Sequence, residues 1–91
     1  MKKVLVVCSN GLGSSLMLKS NIQKVCREKG IDATVEHCDL GSAPSMIQDF
    51  DLVVTSEGLA GELQGFGVPV VTVVNFISPT EVEEKVLKHL Q

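Results

Sequence analysis

Four short apolar runs, each followed by a segment with helical or turn character, constrain the fold more than any other feature of this chain. The first run is Lys3 to Val7, with VLVV at its centre. It is continuous rather than alternating, as in a strand covered on both faces. The second run spans Asp32 to Cys38, the third Leu52 to Thr55 and the fourth Pro69 to Val74. Between the first two, Leu18, Ile22, Val25 and Cys26 fall at helical spacing, with Lys19, Lys24 and Arg27 on other faces. Gly30 stands where glycine commonly ends a helix. Gly41 to Asp49 reads as loop with one helical turn opened by Pro44, and Glu57 to Leu63 as a short helix. Ser78 and Pro79 form an N-cap followed by proline at the first helical position. From there Val82, Val86 and Leu90 keep helical spacing to the end.

Alternating strands and helices imply an α/β architecture: a parallel sheet with helices on both faces. Right-handed crossovers then favour a four-stranded, Rossmann-like sheet in the order 2-1-3-4. Ninety-one residues suit a single small domain, residues 1–91, with no internal repeat or linker. The three aromatic residues are all Phe, so the core rests on Val, Leu and Ile. A net charge of −3 with mixed signs argues against a nucleic-acid binder. No apolar run approaches the roughly 20 residues of a membrane span, and the start is too short for a signal peptide. Three cysteines, an odd number without framework spacing, fit free thiols in a cytoplasmic protein.

In sheets of this kind the working site lies outside the carboxyl ends of the strands. There the first strand leads into Cys8-Ser9-Asn10-Gly11-Leu12-Gly13-Ser14-Ser15. The glycines allow consecutive N–H groups to point inward, and a helix starting near Ser14 adds its free N–H groups and the positive end of its dipole. Together these make an anion site with Cys8 at its edge, and the same field favours thiolate there. A plain structural turn beside a buried cysteine is the competing reading.

Three familiar glycine loops fail against this segment. A Walker A loop needs lysine after its last glycine, but Gly13 is followed by Ser14. A dinucleotide fingerprint needs a third glycine, which is missing before Leu16. A cysteine-dependent tyrosine phosphatase places arginine six positions after its cysteine, where this chain has Ser14. That arginine would clamp phosphate and stabilise its transfer to water. Without it, the loop can hold a phosphoryl group on sulfur with less help toward hydrolysis.

The segment Cys8 to Ser15 resembles the phosphocysteine loop of enzyme IIB proteins of the phosphoenolpyruvate-dependent sugar phosphotransferase system. His37-Cys38, Leu59-Ala60-Gly61-Glu62 and Asn75-Phe76-Ile77-Ser78-Pro79 resemble the ascorbate-type branch, within the group that holds lactose- and galactitol-type domains. The resemblance spans nearly the whole chain. It implies that Cys8 accepts a phosphoryl group from a phosphohistidine of a IIA partner. The group then passes to a sugar, ascorbate for this branch, at a membrane IIC partner. It also implies a phosphate cradle of Ser9, Asn10, Gly11, Leu12, Gly13, Ser14 and Ser15, a monomer, and no cofactor or metal. The alternatives are a low-molecular-weight cysteine phosphatase or arsenate-reductase-like enzyme, and a regulatory IIB-like interaction domain.

Other residues carry weaker signals. Cys8, His37 and Cys38 stand at the carboxyl ends of two neighbouring strands, which raises a weak zinc motif and a reversible Cys8–Cys38 disulfide. Cys26 reads as core, His89 as a solvated residue near a helix end, and Glu57 and Glu62 as exposed helix acids. Leu12, Leu16 and Met17 read either as a docking patch beside the loop or as core packing.

Overall fold

The computed structural model describes residues 2–8, 12–74 and 78–90, and of residues 12–15 only the backbone. Strands β1 (Lys2–Cys8), β2 (Ala33–Asp39), β3 (Leu52–Thr55) and β4 (Val70–Thr72) form one parallel sheet in the order β2-β1-β3-β4. Helices α1 (Leu12–Glu28) and α4 (Pro79–Lys85) cover one face. The short helices α2 (Ala43–Met46) and α3 (Glu57–Ala60), each continued by a 3-10 turn, lie on the other. The doubly covered sheet is the one that the unalternated apolar runs imply.

The two-residue period of the strands sorts the core into two halves. Val4, Val6 and Cys8 of β1 join Val35, Leu52, Val54 and the buried stripe of α1 (Leu18, Ile22, Val25 and Cys26). Leu5 and Val7 join Val53, Ala43, Ile47 and Leu63 on the opposite face. Central strand β1 is thus buried from Val4 to Cys8, and β3 throughout.

Local chemistry sets the element ends. Gly30 has φ of 71°, a conformation that glycine adopts without strain. Its N–H donates to the Arg27 carbonyl at 3.3 Å, and that of Ile31 to the Cys26 carbonyl at 2.8 Å. This paired arrangement closes α1. The Ser78 hydroxyl accepts from the Glu81 backbone N–H at 3.2 Å, capping α4 with Pro79 in its first turn. The boundaries differ from expectation in several places, the largest of which are these. Helix α1 begins at Leu12, two residues before Ser14, and β2 is shifted one residue, to Asp39. Edge strand β4 is only three residues long, because Pro69 has no N–H to offer and the ladder ends soon after Thr72. The last helix ends at Lys85 and gives way to a 3-10 turn, Leu87–His89.

Candidate active site

Cys8 is the last residue of central strand β1 and is nearly buried, at 6% exposure. Its side chain belongs to the face packed by α1 and α4. Only three residues separate it from Leu12, the first residue of the 17-residue helix α1. The sequence holds no Lys or Arg between Lys3 and Lys19. Ser9, Asn10 and Gly11 lie outside the described residues, as do the side chains of Leu12, Gly13, Ser14 and Ser15. In the backbone, Leu12 to Ser15 form the first turn of α1.

Strand register fixes the neighbours of Cys8. Asp39 is its partner across the β1–β2 ladder, and Val6 pairs with His37 one step back. His37 therefore shares the Cys8 face, while Cys38 lies on the opposite one and packs with the second half of the core. The Cys8 and Cys38 side chains diverge, which excludes a disulfide without rotating a strand; all three cysteines are free. The same divergence dismantles the weak zinc motif: among the described residues no three His, Cys, Asp or Glu side chains converge.

The sheet end carries its own electrostatics. Burial pushes the Cys38 thiol up to about 11, with Asp39 and Cys8 adding to the shift. Burial alone pushes up Cys26, which lies in the core as expected. The Asp39 carboxylate accepts from the Ser42 N–H at 2.8 Å. Ser42, through its hydroxyl and its backbone N–H, holds the Asp39 carboxyl below the usual range. Nδ1 of His37 is buried and has no hydrogen-bond partner.

One supporting residue escaped the sequence reading. Thr55 is fully buried at the end of β3, and its hydroxyl donates to the Val7 carbonyl at 2.7 Å. A threonine closing the aliphatic run Leu-Val-Val-Thr was the available signal. The exposed residues come out more clearly. Leu16 and Met17 are 47% and 52% exposed, so neither is core. With Ser20, Asn21, Lys24 and Pro79 they line an open groove of about 430 Å³ between α1 and the start of α4. Val74, just past β4, is 71% exposed. Glu57 and Glu62 are exposed as expected, as is His89, while Asn75, Phe76 and Ile77 lie outside the described residues.

Comparison with known proteins decides what this arrangement belongs to. Residues 3–88 match the family described as PTS system, Lactose/Cellobiose specific IIB subunit. The chain is a member of that family. As a IIB component of the sugar phosphotransferase system it is a phosphotransferase. It is 36% identical over 87 residues to the ascorbate-specific EIIB component of Shigella dysenteriae serotype 1, covering 94% of this chain and 86% of that one. The ascorbate-specific component of Salmonella typhimurium is 34% identical over the same lengths. Among solved structures, the lactose-specific IIB domain of Streptococcus pneumoniae superposes with a TM-score of 0.80, at 21% identity and with 99% and 98% of the two chains covered. That likeness shows the fold. The cellobiose-specific IIB protein of Borrelia burgdorferi superposes with a TM-score of 0.65, at 26% identity, covering 98% of this chain and 87% of the other.

Proposed function

We propose that Cys8 is the phosphoryl acceptor of this IIB component and that residues 1–91 act as a single carrier domain. One observation carries the reading: Cys8 ends the central strand, with three residues between it and the first residue of α1. The Cys8 thiolate attacks the phosphorus of a IIA phosphohistidine. The S–P bond forms as the P–N bond breaks, and the leaving imidazole takes the electron pair. At the membrane IIC partner a sugar hydroxyl oxygen then attacks phosphorus, the S–P bond breaks and the thiolate returns. The hydroxyl proton passes to a base on the IIC side or to water.

The cradle consists of backbone N–H groups from Ser9 to Ser15 and of the Ser9, Asn10, Ser14 and Ser15 side chains. Fixed dipoles hold a phosphoryl group without the arginine that would drive its hydrolysis. Ascorbate is the sugar proposed, by likeness to the ascorbate-specific relatives. Among the described residues no helix is long and apolar enough to cross a membrane. The domain acts as a cytoplasmic monomer that meets IIA and IIC through an apolar patch that includes the exposed Leu16 and Met17.

The test is to incubate the chain with phosphoenolpyruvate and the general and IIA phosphotransfer proteins, and to map phosphate by mass spectrometry. Phosphate on Cys8, stable alone and discharged by IIC membranes with ascorbate, is expected. Turnover of para-nitrophenyl phosphate by the chain alone would overturn the reading in favour of a phosphatase. Full acceptance by Cys8→Ala would overturn the assignment of the cysteine.

A further inference from the structure

His37 is a half-buried polar residue that the reaction outlined above leaves unused. It lies on the same sheet face as Cys8, on the adjacent strand, two residues before the direct partner of Cys8. Strand geometry sets the two Cα atoms roughly 8 Å apart, from a rise of about 3.3 Å per residue and a spacing of about 4.8 Å between strands. An imidazole on one side and a thiophosphate on the other span that distance. Nδ1 of His37 is buried and makes no hydrogen bond. Buried polar atoms in folded proteins are nearly always paired, so the orphan Nδ1 calls for a partner, and a group carried on Cys8 can supply one. The other groups at this sheet end leave the role open. Asp39 is an anion already held by Ser42, Cys38 faces away, and the sequence places no Lys or Arg between Lys3 and Lys19.

We propose that His37 donates a hydrogen bond from Nδ1 to the phosphoryl group carried on Cys8, and so favours the phosphorylated form. The inference rests on Cys8 being the acceptor. The neutral tautomer with its proton on Nδ1 suffices, so no net proton is taken up and no bond other than the hydrogen bond forms. A donor that finds its partner only when the phosphoryl group is present stabilises that state selectively.

The phosphoryl group distributes between the IIA phosphohistidine and this chain, and the equilibrium ratio is read by mass spectrometry after quenching. A hydrogen bond to a charged group is lost in His37→Leu, so the ratio should move toward IIA by about tenfold or more. In His37→Asn the amide nitrogen occupies nearly the place of Nδ1 and should restore most of the ratio. In His37→Gln the amide reaches the place of Nε2 instead and should not. In the unsubstituted protein the ¹⁵N signal of His37 Nδ1 should move on phosphorylation, a change that a merely structural histidine would not show. An unmoved signal, or equal ratios in His37→Leu and the unsubstituted protein, would overturn the role of His37 while leaving Cys8 as acceptor. Absence of phosphocysteine in the unsubstituted protein would overturn both. Should His37→Leu fail to fold, the Asn and Gln pair and the ¹⁵N signal decide.

Discussion

The Thr55 hydroxyl donates a 2.7 Å hydrogen bond to the carbonyl oxygen of Val7, the residue before Cys8. The two residues are also partners in the β1–β3 ladder, so the bond ties the end of one central strand to the end of the other. Thr55 is fully buried, and its hydroxyl has no water to fall back on. Thr55→Val keeps the shape and removes the donor. It should lower stability by about 1–2 kcal/mol, read by urea denaturation. Thr55→Ser should retain most of it. Phosphoryl acceptance by folded Thr55→Val should slow severalfold, because the strand end that aims the thiol loses its anchor. Unchanged stability in Thr55→Val would show that the bond contributes nothing net.

The cap of α4 makes a second, independent prediction. Ser78 accepts from the Glu81 N–H, and the Glu81 carboxylate in turn accepts from the Val74 N–H and from Lys85, each at 2.7 Å. One turn of helix therefore holds the end of the chain segment that leaves β4. Ser78→Ala should cost about 1 kcal/mol in denaturant melts. Ser78→Asp should cost little, since a carboxylate caps as well. Equal losses in both would mean that packing around Pro79, rather than the cap, holds this end.

The sheet was legible because burial on both faces writes itself into sequence as continuous Val and Leu runs, and β3 falls on the residues expected, Leu52–Thr55. Helix ends were legible where a residue type has one dominant use: Gly30 with positive φ, and Ser78-Pro79. The start of α1 was not, because glycine and serine are poor helix formers and Leu12 to Ser15 read as loop. Tertiary placement at the sheet end overrides that preference. The Cys8 position was legible from its strand and the helix after it. The divergence of Cys8 and Cys38 was not, since a one-residue change of register would reverse the face of each side chain on β2. The orphan Nδ1 of His37 and the Thr55 bond are relations between strands far apart in sequence, and no local pattern announces them.

Cys38 supplies a pH prediction. Its thiol is raised to about 11 in the folded chain, above the ordinary value of about 8.5. In that interval the unfolded chain loses its proton first. The contribution of Cys38 to stability is therefore full below the ordinary value and falls as pH rises toward about 11. In a variant retaining only this cysteine, alkylation of the folded chain should stay slow through neutral pH and climb only toward the raised value. Mild oxidation of the unsubstituted chain should yield no 8–38 cross-linked peptide. Finding that peptide in abundance under native conditions would show that the strand ends rotate far more than the register allows.

Leu16 and Met17 test the docking rim, and they must be separated from effects on the phosphoryl site itself. Both are about half exposed, so Leu16→Asp and Met17→Asp should change stability by no more than about 0.5 kcal/mol. If the rim receives IIA, removing two apolar contacts should raise the KM for phosphorylated IIA by about tenfold or more. The equilibrium ratio of phosphoryl groups should not move, because a surface that only brings the partners together alters forward and reverse transfer alike. That separates the rim from His37, whose loss should shift the ratio. A double variant with unaltered KM would remove Leu16 and Met17 from the IIA interface. If discharge by IIC membranes then slowed instead, the groove between α1 and α4 would belong to the acceptor side alone. A shifted ratio would mean that the substitutions disturb α1 and, through it, the cradle beside Cys8.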